Sequence, residues 1–170
     1  MDKAEREYQW DRRHNVMVHA LANRIYQQER QRIMEFRESA VKVVSLVSGT
    51  AAFAVFLSNQ EVGRIAGALV AVATMSSLVF GYAAKARDAA KRATEWAMLD
   101  RDINAVGPTD FTAQQVNSWA ARCNEIEAGE PAPNKRLFQQ SYERACIALG
   151  GTPTVKSGWL SRHVPAFLIP

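Results

Sequence analysis

The run VVSLVSGTAAFAVFLSNQ, Val43 to Gln60, and the run IAGALVAVATMSSLVFGYAA, Ile65 to Ala84, are both free of charge and are joined by the four residues Glu61-Val62-Gly63-Arg64. Lys42 and Lys85 bound them on the outside. At about 1.5 Å per helical residue, 18 and 20 residues reach about 27 and 30 Å, close to the thickness of one hydrocarbon layer. An ordinary buried hairpin of this length carries a charge on some exposed edge, and a chain of 170 residues has little other apolar mass to wrap two helices that are greasy all round. The expectation is an all-α protein built on a two-span transmembrane hairpin, with long cytosolic helical stalks and a small C-terminal helical module. The first apolar run begins some forty residues into the chain, behind a charged stretch, which argues against a signal peptide.

Working outward, the flanks are basic. Arg24, Arg30, Arg32, Arg37 and Lys42 precede the first run, Lys85, Arg87, Lys91, Arg92 and Arg101 follow the second, and the turn holds only Arg64. The positive-inside rule then places both termini in the cytoplasm and only about Ser58 to Arg64 on the far side of the membrane. The mildly negative mean hydropathy averages apolar runs against polar flanks. Cys123 and Cys146 fall in a reducing compartment on this topology and read as small buried hydrophobes.

Five segments follow: a stalk over 1–42, the hairpin over 43–84, a returning stalk over 85–106, a helical sensor module over 107–150 and a C-terminal docking tail over 151–170. The stalk has neither Pro nor Gly up to Ser39, and apolar residues recur at helical steps as Trp10, Met17, Leu21 and Ile25 and again as Tyr26, Ile33, Phe36, Ala40 and Val43. The returning helix continues from the second run to Gly107-Pro108. Thr109 or Thr112 caps a third helix over about 113–128, Gly129 stops it, and a fourth runs over about 135–149 to Gly150-Gly151. The tail beyond ends in apolar residues, Trp159, Leu160, Val164, Phe167, Leu168 and Ile169, a composition suited to docking.

Inside the two runs, Ser45, Ser48 and Gly49 form a small and polar stripe, and Gly63, Gly67, Ala71, Thr74 and Gly81 continue a GxxxG step. Small residues let helices approach closely, within one hairpin or between copies, and the same stripe could line a pore. Two spans enclose no path alone, so a pore requires a homo-oligomer of about four copies or more.

No phosphate loop, HExxH, GxSxG or paired carboxylate marks an enzyme, and no cofactor is expected. His14, His19 and His163 are scattered, and no metal site is expected. Glu125, Glu127 and Glu130 read as solvated or capping. More suggestive are the cations and aromatics after Phe111: Trp119, Arg122, Lys135, Arg136, Tyr142, Arg144, Lys156, Trp159 and Arg162. Arg beside an aromatic face holds phosphate while a base stacks, and the same residues would equally serve as a basic surface beside anionic lipid.

The order of these parts resembles the SLATT family of bacterial two-transmembrane effectors. The likeness runs from Trp10 to Leu149 through the stalk, the hairpin, the returning stalk with Trp96, and Ile126-Glu127-Ala128-Gly129-Glu130-Pro131. It implies an antiviral defence effector that forms an inner-membrane channel gated by a nucleotide or short oligonucleotide on its cytosolic helices, disrupting the membrane and arresting growth. The nucleotidyltransferase that makes the signal is the partner this implies. The rival reading is a membrane anchor or scaffold that recruits a cytosolic protein and never opens.

Overall fold

The computed structural model describes residues 3–56 and 60–153 and contains five helices: α1 Lys3–Phe56, α2 Gln60–Phe80, α3 Tyr82–Asn104, α4 Ala113–Ala128 and α5 Lys135–Ala148. The fold is all-α, with no strand among the described residues. Residues fall into two compact units, one made of 1–29 with 89–170, the other of 30–88.

The membrane hairpin is not what these residues form: among the described residues no helix is long and apolar enough to cross a membrane. The reason lies in where the helices end. The expected second span runs unbroken to Ala84, but Gly81 adopts φ +57°, a left-handed conformation that breaks the helix, so α2 stops at Phe80 and α3 starts at Tyr82. Only 16 residues, Ile65 to Phe80, remain as charge-free helix, about 24 Å. Of the first run, the 14 residues Val43 to Phe56 lie in α1, about 21 Å, and Leu57, Ser58 and Asn59 lie outside the described residues. The charge-free part of α2 falls short of a hydrocarbon core of about 30 Å. The orientation inferred for the hairpin has no spans on which to rest.

The unit over 30–88 is rich in exposed apolar side chains. Val43, Val44, Leu46 and Val47 are exposed on α1, and Ile65, Leu69, Val72, Met75, Val79 and Phe80 on α2. Ile65, Leu69, Val72 and Val79 recur at steps of four, three and seven, one stripe along the helix. Of the small residues, Gly63 is buried, whereas Gly67, Ala71 and Thr74 are exposed and Ser45, Ser48 and Gly49 half-buried. A side chain added at Gly49, Gly67 or Gly81 would meet no heavy atom of the described residues within 4 Å, so among these residues no close backbone approach occurs at these glycines.

The other unit has a hydrophobic core of Ala20 from α1, Trp96, Leu99 and Ile103 from α3, and Val116, Trp119, Cys123 and Ile126 from α4. Helix α4 begins with a capping box: the Thr112 hydroxyl accepts from the Gln115 N–H at 3.2 Å, and the Gln115 side chain accepts from the Thr112 N–H at 2.8 Å. Asn134 caps α5 in the same way, its side chain accepting from the Arg136 and Leu137 N–H groups, both at 3.1 Å. The Tyr26 hydroxyl accepts from the Asn134 N–H at 3.0 Å, and its ring meets Phe138 edge-on at 5.9 Å, joining α5 to α1.

On α1 the buried positions include Gln9, Arg13, Ala20, Asn23 and Gln27, offset by about one residue from the expected Trp10, Met17, Leu21 and Ile25 face. Trp10 is exposed and the other three half-buried. Of this polar row, Arg13 reaches the end of another helix, as described next, while Gln9 and Asn23 bond within α1.

Candidate functional site

The residues expected to hold phosphate do not assemble into one site. Trp119 is 8% exposed and packs in the core, so its faces are closed to a stacking base. Arg122 pairs with Glu125 at 2.6 Å one turn along α4, and Arg144 with Glu29 of α1 at 2.7 Å. Both guanidinium groups are thus held by carboxylates rather than by other members of the set. Tyr142 is half-buried, and its hydroxyl pKa is raised, first by a hydrogen bond with Cys146. Lys135 and Arg136 stand exposed in the first turn of α5. Lys156, Trp159 and Arg162 lie outside the described residues.

Two other places bring chemistry together. The first is a groove around Trp10. Arg13 is buried beneath it and reaches the end of α3, where Nη2 donates to the carbonyls of Val106 at 2.8 Å and Ile103 at 3.2 Å and Nη1 to that of Gly107 at 3.2 Å. A helix leaves its last carbonyls without partners, and a guanidinium with forked donors satisfies several while opposing the negative end of the dipole. The same guanidinium lies 5.0 Å from the centre of the Phe111 ring. Above it, Trp10 is 48% exposed and stacks on His14, the ring centres 5.9 Å apart and the planes 14° from parallel. Trp10 and Pro108 are shared by two adjoining cavities. One, of about 320 Å³, is lined by Arg13, His14, Met17, Asn104, Val106, Gly107 and Leu149 besides these two. The other, of about 330 Å³, adds Arg6, Thr109 and Phe111. An exposed indole with Arg6 beside it offers a flat apolar face next to positive charge.

The second place is a shallower cleft of about 220 Å³ holding Asn15, His19, Cys123, Asn124 and Glu127. His19 Nε2 and Glu127 Oε1 are 2.6 Å apart, His19 meets Trp96 edge-on at 5.8 Å, and Trp96 donates through Nε1 to Glu130 Oε1 at 2.7 Å. Cysteine, histidine and carboxylate in one cleft invite a nucleophilic reading, but burial, assisted by the Glu127 charge, pushes the Cys123 thiol up to about 11. At neutral pH it is a thiol and not the reactive thiolate. Among the described residues no group of His, Cys, Asp and Glu is arranged to hold a metal ion.

Both places escaped sequence reading. Glu127 and Glu130, taken for solvated or capping residues, each hold a side chain more than thirty positions away, and nothing local in the sequence signals such pairs. They belong to the stretch Ile126 to Pro131 on which the family resemblance rests. The chain matches no family model, no curated protein and no solved structure.

Proposed function

We propose that this chain is a bacterial defence effector that assembles into homo-oligomers on the inner face of the plasma membrane, where a nucleotide-type signal received by the 1–29 and 89–170 unit drives membrane disruption and growth arrest. The observation that carries the reading is the exposed apolar stripe Ile65, Leu69, Val72 and Val79 with the exposed valines and Leu46 of α1. Contiguous apolar surface on this scale marks an association site, and an amphipathic helix laid into the headgroup boundary covers such a stripe without crossing the bilayer. The channel of two spans per copy has no place in this reading. Disruption follows from many copies wedging apolar faces into one leaflet.

The signal side is supported by the Trp10 groove. The indole face would stack a base while Arg6 supplies positive charge to phosphate. The order of helices is what makes the SLATT family the source of this proposal. A membrane anchor or scaffold that recruits a protein is the second reading, for which the same exposed apolar stripe would be the partner surface.

The test is dye release from phosphatidylglycerol and phosphatidylethanolamine vesicles by the full chain, with and without cyclic di- and trinucleotides. Release that rises with a nucleotide and is lost in Arg6→Glu is the expected result. Binding of a protein partner with no release under any nucleotide would favour the scaffold.

A further inference from the structure

We infer that the groove around Trp10 is a docking site for the chain's own C-terminal tail, specifically the stretch Val164-Pro165-Ala166-Phe167-Leu168-Ile169-Pro170. The described chain ends at Pro153, leaving 17 further residues, and the final seven carry no charge. The groove lies where that chain sets out. Leu149, the C-cap of α5, is itself part of the lining. Immediately after it Gly150 takes φ +77°, its N–H donates to the Ile147 carbonyl at 3.1 Å, and the Gly151 N–H donates to the Cys146 carbonyl at 2.8 Å. This pair of bonds is the Schellman turn, which ends the helix, reverses the chain beside Leu149 and needs glycine at the left-handed position.

Reach is not limiting, because the eleven residues from Pro153 to Val164 span up to about 35 Å when extended. Chemistry narrows the choice of segment. The groove is walled by Trp10, Met17, Val106, Pro108 and Leu149, with the cation Arg6 at its edge and Arg13 buried beneath it, so the middle of the tail, with Lys156 and Arg162, is repelled where the end, free of charged side chains, is not. An uncharged segment holding two prolines is also the kind of peptide that aromatic-lined grooves accept at low entropic cost. The inference needs the groove alone and does not rest on the nucleotide reading, under which a nucleotide on the Trp10 face would have to displace the tail.

The test uses the full chain with two added thiols, Met17→Cys and Phe167→Cys, the native Cys123 and Cys146 being buried and the unsubstituted parent serving as control. Tethering gives the docked pair a high effective concentration, so oxidative cross-linking at monomer mass should exceed that of an Asn124→Cys and Phe167→Cys pair by at least about tenfold. Equal rates for the two pairs, or cross-links found only at dimer mass, would overturn the inference. A second measurement leaves Met17 untouched. Phe167→Asp with Leu168→Asp should increase acrylamide quenching of tryptophan fluorescence, and the increase should vanish in a Trp10→Phe background. No increase, or one that persists without Trp10, would also overturn it.

Discussion

Arg13 Nη2 donates to the main-chain carbonyl of Val106 at 2.8 Å, so a buried cation on α1 closes the far end of α3 across 93 positions of sequence. With the bonds to Ile103 and Gly107 it fixes the corner between α3 and α4 that forms the floor of the Trp10 groove. Removing it strands several carbonyls at once. Arg13→Ala should cost about 2–4 kcal/mol in urea unfolding, and Arg13→Lys should recover little, since a point charge cannot fork to several acceptors. A loss below about 0.5 kcal/mol for Arg13→Ala would mean that the bonds are not made.

Gln27 is fully buried on the same helix, and neither atom of its amide has a partner among the described residues. An unpaired buried amide costs roughly 1–3 kcal/mol, so Gln27→Leu, of similar volume, should raise the melting temperature. A fall on substitution would show that the amide is satisfied in solution.

Glu127 and Glu130 make bonds of nearly equal length but unequal worth. His19 and Glu127 are 38% and 42% exposed at their side chains, a setting in which an ion pair contributes about 0–1 kcal/mol. Trp96 is fully buried, and removing Glu130 leaves its indole N–H without an acceptor, at about 1–3 kcal/mol. Chemical denaturation should therefore rank Glu130→Ala well below Glu127→Ala in stability, and the reverse order would contradict the packing at this turn.

Cys123 ties stability to alkaline pH. Its ordinary value of 9.0 is pushed up to about 11 by burial, so between these pH values the folded chain holds a proton that the unfolded chain releases. The contribution is whole below pH 9 and is lost as pH rises towards 11. Cys123→Ala should flatten that part of the stability profile, and iodoacetamide should label Cys123 slowly at pH 8 unless the chain is unfolded first.

Helices α4 and α5 were legible because their signals are local. Of the two caps the sequence offers, Thr109 and Thr112, the structure uses Thr112, and Gly129 and Gly150 mark the C-terminal ends within one turn. The hairpin misled because the absence of charge was counted straight through Gly81, and a glycine in an apolar run does not announce whether it will break the helix. The inward face of α1 was hidden for the opposite reason: Gln9, Arg13 and Gln27 read as solvent-facing, and only the end of α3, far along the chain, gives Arg13 its place. The site suffered the same way. Trp119 and the arginines after Phe111 look like a phosphate cradle in one dimension, but Trp119 fills the core and Arg122 and Arg144 are taken by Glu125 and Glu29.

The most direct measurement is flotation of the full chain with phosphatidylglycerol and phosphatidylethanolamine vesicles on a density gradient, beside Leu69→Asp with Val72→Asp. If the α2 stripe meets lipid, the unsubstituted chain rises with the vesicles, and two charges placed in the stripe leave the variant, its helical content intact, at the bottom. An unsubstituted chain that stays at the bottom, or a variant that floats as well as its parent, would contradict membrane association through this face.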